Sequence, residues 1–233
     1  MKKLETYVKG SFFTLGTVGP GRFFYLLISL MLLVFIYPFL RKSGTGLQIM
    51  DLFFLIILLA ALYAISHNRK LFTVCLVCAI AGFAVNSHRY FIESSLLHLI
   101  AICSYGLFFI LVAVAILLYV LKDDKVTTNT INGALCFYLL LGIIWAFLFA
   151  AIETLHAESF LIFGQDIAAQ SDNLFADFIY YSFATLTTLG YGDIAPLSHP
   201  SRALSTLEAV TGQMYLAVLI ARLVGLHIVH SKK

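Results

Sequence analysis

Thr185-Leu186-Thr187-Thr188-Leu189-Gly190-Tyr191-Gly192-Asp193 is the stretch that decides how this chain is read. Glycine is needed where backbone carbonyls must point inward in conformations that a side chain forbids, and Gly190 and Gly192 meet that need. A run of carbonyl oxygens can replace the water that a cation sheds when it crosses lipid. Just upstream, residues 173–188 are apolar but too short to cross a bilayer, and they run straight into the glycine-rich turn. Such a piece is expected to be a re-entrant helix, tolerated at membrane depth only where protein or water surrounds its end.

The rest of the chain supplies the lipid setting. Of 233 residues, 61% are hydrophobic and 12% are charged, against about 25% charged in an ordinary soluble domain. A helix needs about 20 mostly apolar residues to cross a bilayer. Six candidate spans result: Phe23 to Leu40, Leu47 to Ser66, Leu71 to Ser87, Ser94 to Leu121, Ile131 to Glu153 and Ala203 to Ile228. No Ala-x-Ala site follows the first, so it reads as a retained span and not a signal peptide. The expected fold is an all-α membrane protein with six transmembrane helices, one re-entrant pore helix and an extended filter. Residues 1–125 form a four-helix bundle and residues 126–233 a pore domain. No soluble regulatory domain is expected.

Loop charges give the orientation. With both termini in the cytoplasm, the inner segments hold Lys2, Lys3, Lys9, Arg22, Arg69, Lys70, Lys122, Lys125, Arg222, Lys232 and Lys233. The outer ones hold only Arg41, Lys42, Arg89 and Arg202. The loop before the filter carries Glu158, Asp166, Asp172 and Asp177, an acidic vestibule that raises the local cation concentration. A net charge of +3 gives no argument for nucleic acid. Cys75, Cys78, Cys103 and Cys136 lie in apolar runs and read as small hydrophobes. Cys75-x-x-Cys78 has no second pair to complete a metal site.

Four copies of the T-x-G-Y-G segment around one axis would stack rings of carbonyls from Thr188, Leu189, Gly190 and Tyr191, with the Thr188 hydroxyl below, as sites for K⁺. Tyr191 is expected to pack behind the filter, with Tyr180 and Tyr181 as an aromatic collar. Asp172 or Asn173 can cap the short helix, whose C-terminal end near Thr187 aims partial negative charge at the pore centre. On these residues, the region from about Ile131 onward resembles the pore domain of tetrameric potassium channels. Gly190-Tyr191-Gly192-Asp193 matches that family fully. The chain departs from it in having Tyr180-Tyr181 for Trp-Trp, Leu189 for Val, and Ala184 where Glu or Val is common. The resemblance implies a homotetramer in the plasma membrane, with the permeant ion and lipid as partners and no cofactor. The compact loops suggest a bacterial inner membrane.

In potassium channels, a glycine at the distance of Gly212 from the filter is a hinge of the inner helix. Close helix packing explains Gly212 equally well. Glu208 and Arg222 share its span and should not face lipid. Glu208 is expected behind the filter, and Arg222 with His227 near the cytoplasmic mouth. A voltage sensor needs about three or four gating charges, yet Ser94 to Leu121 holds no Arg or Lys, and His98 is its one candidate. Glu153-x-x-His156 has the spacing of half a dimetal site and lacks the other half. By resemblance, Glu153 bonds to the outer mouth.

A potassium-uptake transporter subunit is disfavoured, because such proteins carry four filter-like loops in one chain and this one carries one. An intramembrane enzyme is disfavoured by the missing zinc motif and nucleophile–base pair. A non-selective cation channel is the nearest competitor.

Overall fold

The computed structural model describes residues 21–40, 46–65, 69–88, 95–122, 127–170 and 173–231. Among them the chain is mostly helical: α1 (Arg22–Leu40), α2 (Gly46–Ile65), α3 (Arg69–His88), α4 (Ser95–Lys122), α5 (Thr128–Leu155), α6 (Ile167–Gln170), α7 (Leu174–Leu186) and α8 (His199–Ser231). By length and composition, α4, α5 and α8 can cross a membrane. The apolar segments of α1 to α3 within the described side chains are shorter. Part of the expectation of six spans therefore lies outside the described residues, as do Asp172 and the side chain of His227.

The helices overrun the hydropathic spans by a few residues at polar ends, where capping and not hydrophobicity sets the limit. Thr127 starts α5 by accepting the Thr130 amide at 3.1 Å. Ser198 starts α8 by accepting the Ser201 amide at 3.3 Å, and Pro200 sits in the first turn, where its missing N–H costs nothing.

One correction to the all-α expectation is a three-stranded antiparallel sheet, β1 (Phe160–Ile162), β2 (Gln165–Asp166) and β3 (Ile194–Pro196), ordered β2-β1-β3. Strands this short carry no readable alternation. The hairpin between β1 and β2 turns on Phe163 and Gly164, with φ of 49° and 80°, the pair of positive values that a tight two-residue turn requires. β3 follows the glycine-rich stretch directly, so the sheet joins the segments before and after α7.

α4 and α1 both pack along α5, and α7 packs between α5 and α8. One apolar cluster runs from Leu26 and Leu30 on α1, through Ile116 on α4 and Leu140 on α5, to Phe178 on α7. The core therefore crosses the boundary expected at residue 126. Aromatic rings carry it toward α7: Phe147 lies 4.5 Å from Phe175 and 5.6 Å from Phe109, and Phe54 lies 5.7 Å from Phe175. α8, by contrast, is largely bare, with Met214 and Val218 each 61% exposed.

Candidate functional site: the α7 terminus and the glycine-rich segment

Asn173, one of the two candidate caps, starts α7 by accepting the Ala176 amide at 3.2 Å. We expect Asn173→Ala to cost about 1 kcal/mol, and Asn173→Asp to be neutral or better beside the positive end of the helix. Thermal unfolding of the two variants checks this.

At its other end α7 closes sharply. The Thr187 hydroxyl donates to the Phe183 carbonyl at 2.6 Å, and the Thr188 amide donates to Thr185 at 2.9 Å. The amides of Leu189 and Gly190 then both donate to the Ala184 carbonyl, at 2.8 and 3.0 Å. Beyond this turn the backbone alternates in hand. Thr188, Gly190 and Gly192 have φ of 61°, 56° and 78°, and Leu189 and Tyr191 between them are not positive. In a strand of uniform hand, successive carbonyls point to opposite sides. Alternation of hand turns them toward a common side. Positive φ at a β-branched residue such as Thr188 is uncommon and strained, so the surrounding turn must hold it.

Residues 187–192 are exposed, with Leu189 at 54% and Tyr191 at 69%. Within one chain, the tyrosines of α7 reach elsewhere than Tyr191. Tyr180 donates to Asp193 Oδ2 at 2.8 Å, and Tyr181 donates to Ser205 on α8 at 2.6 Å. Asp193 is therefore tied back to α7, while its carbonyl accepts the Phe163 amide at 2.8 Å.

Glu153, buried at the end of α5, accepts three amides: Glu158 at 3.0 Å, Ser159 at 3.0 Å and Phe160 at 3.1 Å. This grip fixes the start of β1, which pairs with β3, which leads out of the glycine-rich segment. Ser201 reinforces it by donating to the Ser159 carbonyl at 2.9 Å. Committed to amides, Glu153 is not offered to a metal with His156, and no cluster of three metal-ligating side chains occurs among the described residues. Glu153→Gln orphans at least one buried amide, a loss of about 1–3 kcal/mol. The expected result is a lower thermal midpoint with faster proteolysis at residues 158–160.

Gly212 packs directly on α7. A Cβ there would lie 2.6 Å from the Leu186 carbonyl oxygen. Arg222, farther along α8, donates through Nη2 to the Leu121 carbonyl at 2.6 Å. This joins α8 to the negative end of the α4 dipole.

Three buried serines not singled out from the sequence also bridge elements: Ser182 to Gly142 and Glu208, Ser205 to Tyr181, and Ser201 to Ser159. The available signal was hydroxyls on apolar helices, which must find partners where water is absent.

Residues 133–226 match the family model described as an ion channel. Two-pore potassium channel 4 of Arabidopsis thaliana is 33% identical over 67 residues, 29% of this chain and 24% of that protein. Inward rectifier potassium channel Kirbac3.1 of Paramagnetospirillum magnetotacticum is 34% identical over 71 residues, 30% of this chain and 24% of that protein. The match thus spans about a quarter of the length of these relatives. No solved structure matches.

Proposed function

We propose that this chain, which matches an ion-channel family model over residues 133–226 and is similar to two potassium channels over 67 and 71 residues, is one of four identical subunits around a K⁺-selective pore. The domain is that of a channel and not of an enzyme. The observation that carries the reading is the alternation of backbone hand from Thr188 to Gly192. On this reading it turns the carbonyls of Thr188, Leu189, Gly190 and Tyr191 toward one side as a column that replaces the hydration shell of K⁺.

What one chain leaves bare supports assembly with further copies, four subunits in the proposed pore. Irregular backbone at membrane depth cannot face lipid, yet residues 187–192 are exposed, and α8 beside them presents exposed apolar side chains among the described residues. Three further copies cover α8 and close the carbonyl column into rings. Tyr191 then finds its packing, and Tyr180 its collar, across subunit boundaries. The C-terminal end of α7 points partial negative charge toward the ion. Transport is passive, since no energy-coupling site is needed for an ion moving down its gradient.

α1 to α5 and α8 are the six spans, with both termini in the cytoplasm of a plasma membrane. α1 to α4 occupy the place of a sensor without its charges, because Lys122 at the very end is the one Lys or Arg of α4. We expect open probability to depend weakly on voltage, with fewer gating charges than the three or four per subunit of a voltage sensor, as measured in patch recordings. Opening is assigned to α8 below Gly212, whose lower part Arg222 anchors to α4.

The test is uptake of radioactive rubidium into liposomes holding purified protein, with Tyr191→Ala as control and reversal potentials in K⁺/Na⁺ gradients. Selective uptake lost in the variant supports the reading. Equal uptake by both proteins removes the assigned filter, and a reversal potential indifferent to the K⁺ gradient removes its selectivity.

A further inference from the structure

Behind the glycine-rich segment lies a polar joint that the carbonyl column does not use. Glu208 on α8 is completely buried, at 0% exposure. Its Oε1 meets the hydroxyl of Ser182 on α7, and its Oε2 has no hydrogen-bond partner among the described residues. The Ser182 hydroxyl also lies 2.7 Å from the Gly142 carbonyl on α5. The titratable groups facing Glu208 from the other two helices are Tyr138 on α5 and Tyr181 on α7, and neither brings a positive charge.

Counting hydrogens decides what this joint is. Ser182 has one proton to donate, the Gly142 carbonyl has none, and an ionised carboxylate only accepts. If Glu208 were ionised, Ser182 could place its one proton toward Glu208 or toward Gly142, and the other short contact would be oxygen against oxygen with no proton between them. A buried charge would then remain with one oxygen orphaned and no cation among the described residues, an arrangement that membrane interiors penalise heavily. One proton more resolves every contact. Ser182 donates to Gly142, and the Glu208 acid donates to Ser182 Oγ. What is left over is a neutral carbonyl oxygen.

We infer that Glu208 is held in its acid form and acts as a positioning residue, donating through Ser182 to pin α7 between α5 and α8. The inference rests on reading residues 188–193 as the filter, since α7 is the helix that aims it. The joint is close because small residues flank it. A Cβ at Gly142 would meet the Phe183 ring at 2.8 Å, and one at Gly212 would meet the Leu186 carbonyl at 2.6 Å. The hydrogen-bonded chain thus crosses three helices at the level where α7 turns into the filter.

The experiment uses the full-length protein in lipid vesicles at neutral pH. Infrared difference spectra of wild type against Glu208→Gln should contain a protonated-carboxyl stretch that the variant loses. Glutamine's amide donates to Ser182 as the acid does, so Glu208→Gln should keep K⁺-selective rubidium uptake within about twofold, while Glu208→Ala and Ser182→Ala lower it at least about tenfold by orphaning a buried partner. Absence of the carboxyl stretch, or an unaltered flux in Glu208→Ala, overturns the inference even if the wild type conducts selectively. A wild type that shows the stretch but conducts no K⁺ upholds the acid form and overturns the filter reading instead.

Discussion

Gly192→Ala is expected to abolish K⁺ flux while leaving a folded tetramer. The φ of Gly192 is 78°, and a Cβ built there meets nothing within 4 Å. Crowding by neighbours in the chain is therefore not the obstacle. The obstacle is the backbone itself, since an L-residue in the left-handed region costs about 1–2 kcal/mol. In a soluble loop that would be a modest loss. In the proposed filter of four copies, the same residue recurs around one axis, and the cost becomes about 4–8 kcal/mol per pore. At about 1.4 kcal/mol per factor of ten, this lowers the population of the conducting geometry by roughly three to six decades. A relaxed alanine swings its carbonyl out of the column, and one missing ring is enough to stop ion transfer. Rubidium uptake per reconstituted tetramer measures the effect, with size-exclusion chromatography checking assembly. Uptake within about tenfold of wild type would mean that the left-handed backbone at residue 192 is dispensable, and the carbonyl column with it.

Much of this architecture is local and was therefore legible. Long apolar runs declare helices, and α4 at Ser95–Lys122 and α1 at Arg22–Leu40 differ from the expected spans by one residue at their ends. A polar residue before an apolar run declares a cap, as Asn173 does. Gly190 and Gly192 declare positive φ. The remainder depends on residues far apart in the chain. The β1–β3 pairing joins Phe160 to Pro196 across the whole of α7. Three-residue strands have too little pattern to announce that.

Glu153 was readable as a structural carboxylate at the C-terminal end of α5, but its three amide partners depend on how the loop folds back. Arg222 is the clearest example. Its position on an apolar helix says that it needs a partner, yet the partner is a backbone carbonyl 101 residues away, and a carbonyl has no sequence signature. The Ser182–Glu208 link is of the same kind. Each residue alone reads as a polar group in need of satisfaction, and only packing shows that they satisfy each other.

Gly212→Ala separates two accounts of one residue by the sign of its effect. If Gly212 serves only as a point of bending, alanine should stabilise α8, because alanine is favoured over glycine in a helix by about 1 kcal/mol. The packing says otherwise. The new methyl group would lie 2.6 Å from the Leu186 carbonyl oxygen, 2.8 Å from Leu186 Cδ1 and 3.1 Å from Cγ. A side-chain clash could be relieved by rotation, but the oxygen belongs to the last residue of α7 and cannot move without the end of the helix. Overpacking of this kind costs about 1–3 kcal/mol, and the proposed four subunits would raise that to about 4–12 kcal/mol for the assembly. The displaced end of α7 is also the start of the filter, so selectivity should fall together with stability. Gly225 on the same helix, where a Cβ meets no atom of its own chain within 4 Å, is the internal control and should lose no stability through contact with α7. Thermal unfolding of the reconstituted tetramer gives the sign directly. A higher midpoint for Gly212→Ala, matching that of Gly225→Ala, would leave close packing on α7 without support and assign Gly212 to bending alone.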